Sequence, residues 1–451
     1  MIEMINLSAL AQKLDGELIG GDIAFSELST DSRTLSHGDM YLALNGDRFD
    51  GNDFVAEAIT KGALGAIVSK ELDIDCSMLR VPDTHAALGE IAKLNRQRSS
   101  AKVIALTGSQ GKTTVKEMIH RMLSNQASTL VTHANLNNTI GVPLTLLQLN
   151  EKHEFAVIEM GANRAGEIAF SADKALPNVA LITNASSAHI EGFGSLQGIV
   201  EAKGEIIDSV SPQGTVILNL MDPNANQWIE RAKPRRVVLF SACNSSNGPV
   251  DYFASNVLMG NGGCVSFTLN SPAGKRKLSL KLLGCHNVGN AVAAASAAME
   301  AGATLDDIQK GLANLGPIGG RLEAKCALFG SRLIDDTYNA SPNSFFVAID
   351  VLMSFSGMRV LIAGDMKELG QESASAHALV GKYAAIAGVD EFWAVGEKSR
   401  FAVQAFGDNA RHFASKSDLL AACKEIASND TVFLVKGSRD TQMETIVSEL
   451  T

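Results

Sequence analysis

The stretch Ala105-Leu106-Thr107-Gly108-Ser109-Gln110-Gly111-Lys112-Thr113-Thr114 follows an apolar run and leads into a segment of helical pattern. Its residue types suit polyphosphate. Gly108 and Gly111 lack the Cβ atoms that would hold phosphate oxygens away from the backbone. N–H groups of the turn and helix start can then point at the anion, and the helix dipole adds favourable potential. Lys112 supplies a cation for the β/γ-phosphates, Thr113 a hydroxyl where Mg²⁺ binds, and Ser109 and Thr114 flank them. The general template, G-x-x-x-x-G-K-[ST], asks for a glycine at the place of Leu106. The cradle does not need it. An ordinary glycine-containing turn is the competing account, and the coincidence of strand, Gly-Lys-Thr-Thr and helix disfavours it.

Further polar groups fall at the ends of apolar strands, where ligands of α/β sheets gather. Glu159 ends one such run, and a carboxylate there suits Mg²⁺. A surface glutamate has the same signature. His189 follows another run in a Gly/Ser-rich loop, where imidazole can bind metal or phosphate or serve structure alone. Lys203 lies on a helical segment with two acids nearby, the pattern of a solvated lysine. Asn287 and Asn290 share a helix face. Such amides can read an adenine edge, but they also cap helices. Arg321, Asp335, Asp336, Tyr338, Asn339, Asp365, Lys436, Ser438 and Arg439 cluster near strand ends in the last third, as a site rim would.

The elements that position these groups read as α/β. The 451 residues exceed one core, so several domains are expected. Residues 1–82 form a first block with a helix Leu7–Leu14 and short strands Met40–Leu44 and Gly65–Val68. Asp83 is placed to cap a helix reaching about Arg98. Residues 83–316 alternate strands (Val103–Leu106, Ala156–Glu159, Val179–Thr183, Thr215–Asn219) with helices, the pattern of a mostly parallel sheet. A β-like insertion covers 236–283, and an Ala-rich helix Asn287–Ala301 follows. After a Gly-rich joint at 316–320, residues 317–451 carry the buried runs Arg359–Ala363, Glu391–Val395 and Thr431–Val435 of a doubly wound, Rossmann-like domain. Net charge is −10 and no dense basic stripe occurs, which argues against nucleic acid as partner. No apolar run is long enough to cross a membrane. The six dispersed cysteines and the lack of a secretory signal predict reduced thiols in a cytoplasmic protein.

Taken in order, the segments DSRTLSHGDMYLALNGDRFDGNDF, LTGSQGKTTVKEM, NLNNTIGVPLTLL, VIEMGAN, NASSAHIEGFGS, EAKGEI, GCHNVGNAVAAA, GGRLE, DDTYNASPNS, AGDMKELG and KGSR resemble the Mur ligase family over essentially the whole chain. The resemblance implies three α/β domains: a small N-terminal substrate domain, a central P-loop-type ATP-binding domain and a C-terminal Rossmann-like domain. It implies an enzyme that uses ATP and Mg²⁺ to join UDP-N-acetylmuramoyl-tripeptide to D-alanyl-D-alanine through an acyl phosphate, and a monomer is the default expectation. A mixed anhydride turns a poor electrophile into one with a good leaving group.

Carried over residue by residue, Gly108 to Thr114 hold phosphate, and Thr113, Glu159, His189 and a carbamoylated Lys203 hold metal. Asn287 and Asn290 match adenine-side positions, and Arg321, Asp336 and Asn339 match further nucleotide contacts. Asp31, Ser32, Arg33 and the Asn45–Asp53 segment, with Arg48 and Asp50, match the grip on the UDP-sugar. Asn135, Asn138 and Thr139 match central substrate contacts, and Lys436 and Ser438 match positions closing over the incoming substrates. One departure is Asn52, where many relatives have histidine. His377 is a candidate base for the incoming amine. Closure about the Gly-rich joint is expected to assemble the site, with Arg321, Asp336 and Lys436 standing away from Lys112 before it. The competing accounts are a tripeptide-forming ligase, a folylpolyglutamate synthase, or a nucleotide-binding regulator without catalysis.

Overall fold

The computed structural model describes residues 1–46, 49–186, 190–243, 248–260 and 262–451. Arg48 and His189 lie outside the described residues. In the N-terminal part, the strands Leu28–Ser29, Met40–Leu42, Gly65–Val68 and Met78–Arg80 run parallel, and Glu17–Ile19 adds an antiparallel edge. The second strand is shorter than expected, since Asn45 bridges back to Asp50 in a tight loop. The helix Thr84–Arg98 follows, and Asp83 Oδ1 accepts the N–H groups of His85 and Ala86 at its start.

The largest sheet centres on Lys102–Thr107, flanked by Phe155–Glu159 and Val179–Ile182 in parallel. The chain first builds Phe155–Glu159 and Thr129–Val131 on one side of the central strand, then crosses to build the other side. A crevice forms where that order reverses, at the strands' carboxyl ends. The central strands are buried from Val103, Phe155 and Val179 onward and mostly apolar until their carboxyl ends, as a sheet covered on both faces requires. Residues 236–283 differ from the expected insertion, for they extend this same sheet. Arg236–Ser241 joins in parallel, and Tyr252–Met259, Cys264–Ser271 and Gly274–Leu283 continue it. Tight turns make these last strands antiparallel, so one face alternates into the core while the other meets solvent.

The helix Lys112–Leu123 buries Val115, Met118, Ile119, Met122 and Leu123 at helical spacing. It packs on the helix His286–Ala301, whose run of small alanines permits close approach. That packing fixes where Lys112 and Asn290 stand. The C-terminal sheet has the order Glu323–Cys326, Arg332–Asp336, Thr431–Lys436, Met358–Ala363, Glu391–Val395, Ala410–Phe413, parallel except for its first pair. Among the described residues, no helix is long and apolar enough to cross a membrane.

Candidate active site

The loop after Lys102–Thr107 is shaped by the neighbouring strand end. Ser109 N–H donates to Asn184 O and Gln110 N–H to Asn184 Oδ1, while Thr183 Oγ1 donates to Gln110 O at 2.7 Å. A Cβ on Gly108 would stand 1.9 Å from Thr183 Oγ1, and one on Gly111 2.6 Å from Asn290 Oδ1. Gly111 also has φ of +81°. Both glycines are therefore dictated by protein neighbours as well as by any phosphate. Ser109 Oγ exchanges hydrogen bonds with Ser186, so it braces the loop. The first N–H groups of the helix have no carbonyl one turn earlier and remain for an anion. Lys112 folds back over the loop, its Nζ donating to Gly108 O at 2.8 Å. Enclosure pushes its pKa down, opposed by Glu159 and reinforced by Arg321. An arriving polyphosphate would relieve that cost.

Glu159 is not a surface residue: it is 1% exposed. Its Oε1 accepts from Asn137 Nδ2 at 2.8 Å and from Thr113 Oγ1 at 3.3 Å. Among the described residues, its Oε2 is buried without a partner. A buried, unbonded carboxylate oxygen costs free energy unless something ligates it. Beside a threonine hydroxyl at a phosphate cradle, the group that fits is a hard cation such as Mg²⁺. Among the described residues, no cluster of three His, Cys, Asp or Glu side chains surrounds it. The Thr113 hydroxyl beside it is a further oxygen for such an ion.

Lys203 also departs from its bland account. It is 3% exposed, over the ring of Phe193, with its pKa pushed down to about 7 by burial and by Lys112. The acids beside it in sequence turn elsewhere. Glu201 accepts from Gln197, and Glu205 accepts Gly166 N–H and Ala169 N–H at the start of the helix Glu167–Ala175.

The C-terminal part lies directly on the loop, contrary to the expected separation. Arg321 Nη2 donates to Thr113 Oγ1 at 2.9 Å, and its guanidinium stacks on Tyr338, 4.1 Å from the ring centroid. Gln110 Nε2 donates to Ser341 Oγ at 3.4 Å. Stacking and the fork geometry of Arg321 carry it across the joint. A cleft of about 570 Å³ results, lined from both sides by Lys112, Glu159, Lys203, Asn290, Arg321 and Asp336 among others. Asn287 and Asn290 reach it without capping their helix. Asn290 Nδ2 donates to Asn287 Oδ1, and Asn287 Nδ2 to Leu283 O. His286 lines the cleft too, its imidazole pushed down to about 4 by enclosure and by Lys436.

Several expected contacts are placed differently. Lys436 lines the cleft, while its Nζ donates to Asp336 Oδ2 at 2.6 Å and Asn339 O at 2.9 Å and so steadies the strand ends. Enclosure raises the Asp336 pKa despite that lysine. Lys436→Met leaves Asp336 without its cation, and we expect a loss of about 3 kcal/mol in urea unfolding. Ser438 is buried and lies outside the cleft lining, its Oγ accepting Lys367 N–H. Asn339 Oδ1 turns back to Ala340 N–H, although the residue lines the cleft. His377 is not poised as a base. Its Nε2 accepts Met366 N–H and its Nδ1 meets Ser373 O at 2.6 Å, so both nitrogens support the loop after Met358–Ala363.

Asn138 lines the cleft, yet its Oδ1 accepts Ile140 N–H and Gly141 N–H at the start of helix Gly141–Leu147. Asn135 and Thr139 stand outside the lining, Thr139 against His85. The N-terminal candidates are also outside it. Arg33 pairs with Asp31 and holds that carboxyl at about 2. Ser32 is buried, its carbonyl accepting from Lys61. Asn52 answers its departure from histidine. It is 3% exposed and donates to Asn45, Asp50 and Ser69, while Lys70 closes on Asp50. A neutral amide suffices for that internal bracing.

Comparison with known proteins agrees with this geometry. Family models described as Mur ligase middle domain, Mur ligase, glutamate ligase domain, and Mur ligase family, catalytic domain match residues 106–298, 320–439 and 24–96. The chain belongs to the Mur ligase family. A UDP-N-acetylmuramoyl-tripeptide–D-alanyl-D-alanine ligase of Escherichia coli (strain K12) is 44% identical to this family member, over 99% of this chain and 98% of its own. A crystal structure of MurF from Acinetobacter baumannii matches with TM-score 0.92 and 37% identity, covering 100% of this chain and 99% of that one. MurF ligase from Thermotoga maritima in complex with ADP matches with TM-score 0.85 and 27% identity, covering 94% and 96%. Sequence reasoning did not single out Asn137, Thr183, Asn184 or His286 in this Mur ligase site. Asn137 stands in an Asn-rich run, and nothing in its spacing says which amide meets Glu159.

Proposed function

We infer that the chain joins the amine of D-alanyl-D-alanine to the free carboxylate of UDP-N-acetylmuramoyl-tripeptide at the expense of ATP, in peptidoglycan synthesis. The likeness to the Escherichia coli ligase along both full chains carries this reading. The cleft joining the phosphate loop, a buried carboxylate and a buried lysine supports it.

The lobes divide the labour: 1–82 hold the UDP-sugar, with Asp31, Arg33, Asn45, Arg48 and Asp50 as its contacts, 83–316 hold ATP, and 317–451 close over it. Lys112 and the helix start grip the β/γ-phosphates. Arg321 and Asn290 line the nucleotide side, and Asp336 reaches it from a strand end braced by Lys436. Thr113, Glu159 and His189, with a carbamate on Lys203, are the groups to hold Mg²⁺. When bound, Mg²⁺ neutralises phosphate charge as a phosphoryl group transfers. Activation of the tripeptide carboxylate as an acyl phosphate then lets the dipeptide amine displace phosphate. Lys112 and Arg321 face the charge that moves onto the leaving oxygens, in a cleft that keeps bulk water away from an anhydride.

Incubation with ATP and both acceptors tests the reading. Phosphate release should require UDP-N-acetylmuramoyl-tripeptide and D-alanyl-D-alanine together. Release that persists when either is left out would end the claim. Running lysine- and diaminopimelate-containing tripeptides side by side also assigns the third peptide residue.

A further inference from the structure

The loop Asn135–Thr139 does more than bring Asn137 and Asn138 to the cleft. Asn137 Nδ2 donates to Glu159 Oε1 at 2.8 Å, and Asn137 O accepts Gly161 N–H at 2.8 Å, just beyond the same strand end. One carboxylate oxygen is thus held by an amide and the Thr113 hydroxyl while the other, Oε2, is buried and unpartnered among the described residues. Two residues on, Thr139 Oγ1 lies 3.0 Å from His85 Nε2. The His85 ring is fixed in turn, stacked on Phe170 with centroids 5.0 Å apart and planes 20° off parallel.

His85 belongs to the helix Thr84–Arg98, which touches both sides of the joint with the N-terminal part. From that helix Asn95 Oδ1 accepts Ile2 N–H, and Arg98 donates to Glu3 O. Asn95 Nδ2 also donates to Leu146 O and Leu149 O, at the end of the helix that the loop begins. The loop is therefore clamped at its Glu159 end, at Thr139 and through its following helix.

We propose that Asn137 is a positioning residue that presents Glu159 Oε2 to a metal ion, and that His85 holds Asn137 in register through Thr139. The idea rests on Glu159 being a metal ligand. A ligating carboxylate has one productive orientation, and groups that bond its other oxygen hold that orientation. His85 touches neither metal nor substrate and acts only through the loop.

The test is Mn²⁺ binding to the full-length protein with ADP, followed by electron paramagnetic resonance, so that no turnover is needed. Glu159→Gln is the reference arm. Asn137→Ala should weaken Mn²⁺ binding about tenfold, the usual scale for a group that orients a ligand. His85→Ala and Thr139→Val should each weaken it roughly threefold, and their double variant no further, since both break one contact. Thr139→Ser keeps the hydroxyl and should bind as the unaltered protein does. Melting temperatures run beside each variant separate packing loss from metal loss. If Glu159→Gln weakens Mn²⁺ binding but the loop variants do not, the positioning idea is overturned and the metal reading stands. If Glu159→Gln leaves binding unchanged, both fall.

Discussion

Replacing Lys112 with alanine should lower turnover by about 10³-fold while the protein stays folded. The phosphate chain concentrates charge at the helix start, and Lys112 is the cation placed over the loop. Removing one preorganised donor from such a site typically costs 10²–10³ in rate, and here the donor also carries a charge. Stability should move by no more than about 1 kcal/mol, because the side chain makes one internal hydrogen bond and is unfavourably enclosed. The coupled ligase assay and a thermal melt on the same preparation read both quantities. Near-normal turnover would remove the loop from catalysis.

Replacing Lys203 with alanine should cost roughly 10²-fold in activity, part of which returns on adding acetate or formate. A buried ammonium facing Lys112, with no carboxylate paired to it among the described residues, is an unfavourable arrangement. Burial and Lys112 push its pKa down to about 7, which favours the neutral amine that carbon dioxide captures. The product carbamate has the charge and oxygens of a carboxylate, so it suits a metal beside Glu159. A small carboxylate diffusing into the alanine variant supplies the same oxygens. Sign and window follow from the lowered pKa: below about pH 7 the amine is mostly protonated, so once carbon dioxide is removed and then restored to the same dissolved level, activity should return more slowly at pH 6 than at pH 8. Carbon-13 NMR under labelled bicarbonate reads the adduct directly. Full activity with an unmodified lysine would exclude the carbamate.

These two lysines mark how far residue patterns reach. Lys112 stands in a pattern whose local geometry is its function, since strand, glycines and helix start are adjacent in the chain. Lys203 sits on an amphipathic helix between two acids and reads as solvated. Only packing reveals that Glu205 turns to another helix start and that the lysine faces inward. The resemblance, not the spacing, marked it.

Strand and helix positions were legible for a similar reason. Thr215–Asn219, Gly65–Val68 and Glu391–Val395 lie where apolar runs between turns put them, because burial of short parallel strands leaves a continuous apolar signal. The role of 236–283 was not legible, since alternating strands read alike whether they form an insertion or prolong an existing sheet. Ser438, Thr139 and Lys436 show the same limit among polar residues. Each bears a group able to meet substrate, and each is spent on a neighbour distant in sequence.

The sequence by itself determined the elements, the phosphate loop and the family, because each depends on residues adjacent in the chain or on a long ordered set of motifs. Tertiary structure decided which polar groups remain to face a ligand. Among the described residues Glu159 Oε2 is left unpartnered, while His377 is consumed and Lys436, though it lines the cleft, is held by Asp336, through contacts spanning tens of residues or more in some cases and a single loop in others. Hydrogen-bond capacity is finite, and only the folded chain shows where it has already been used.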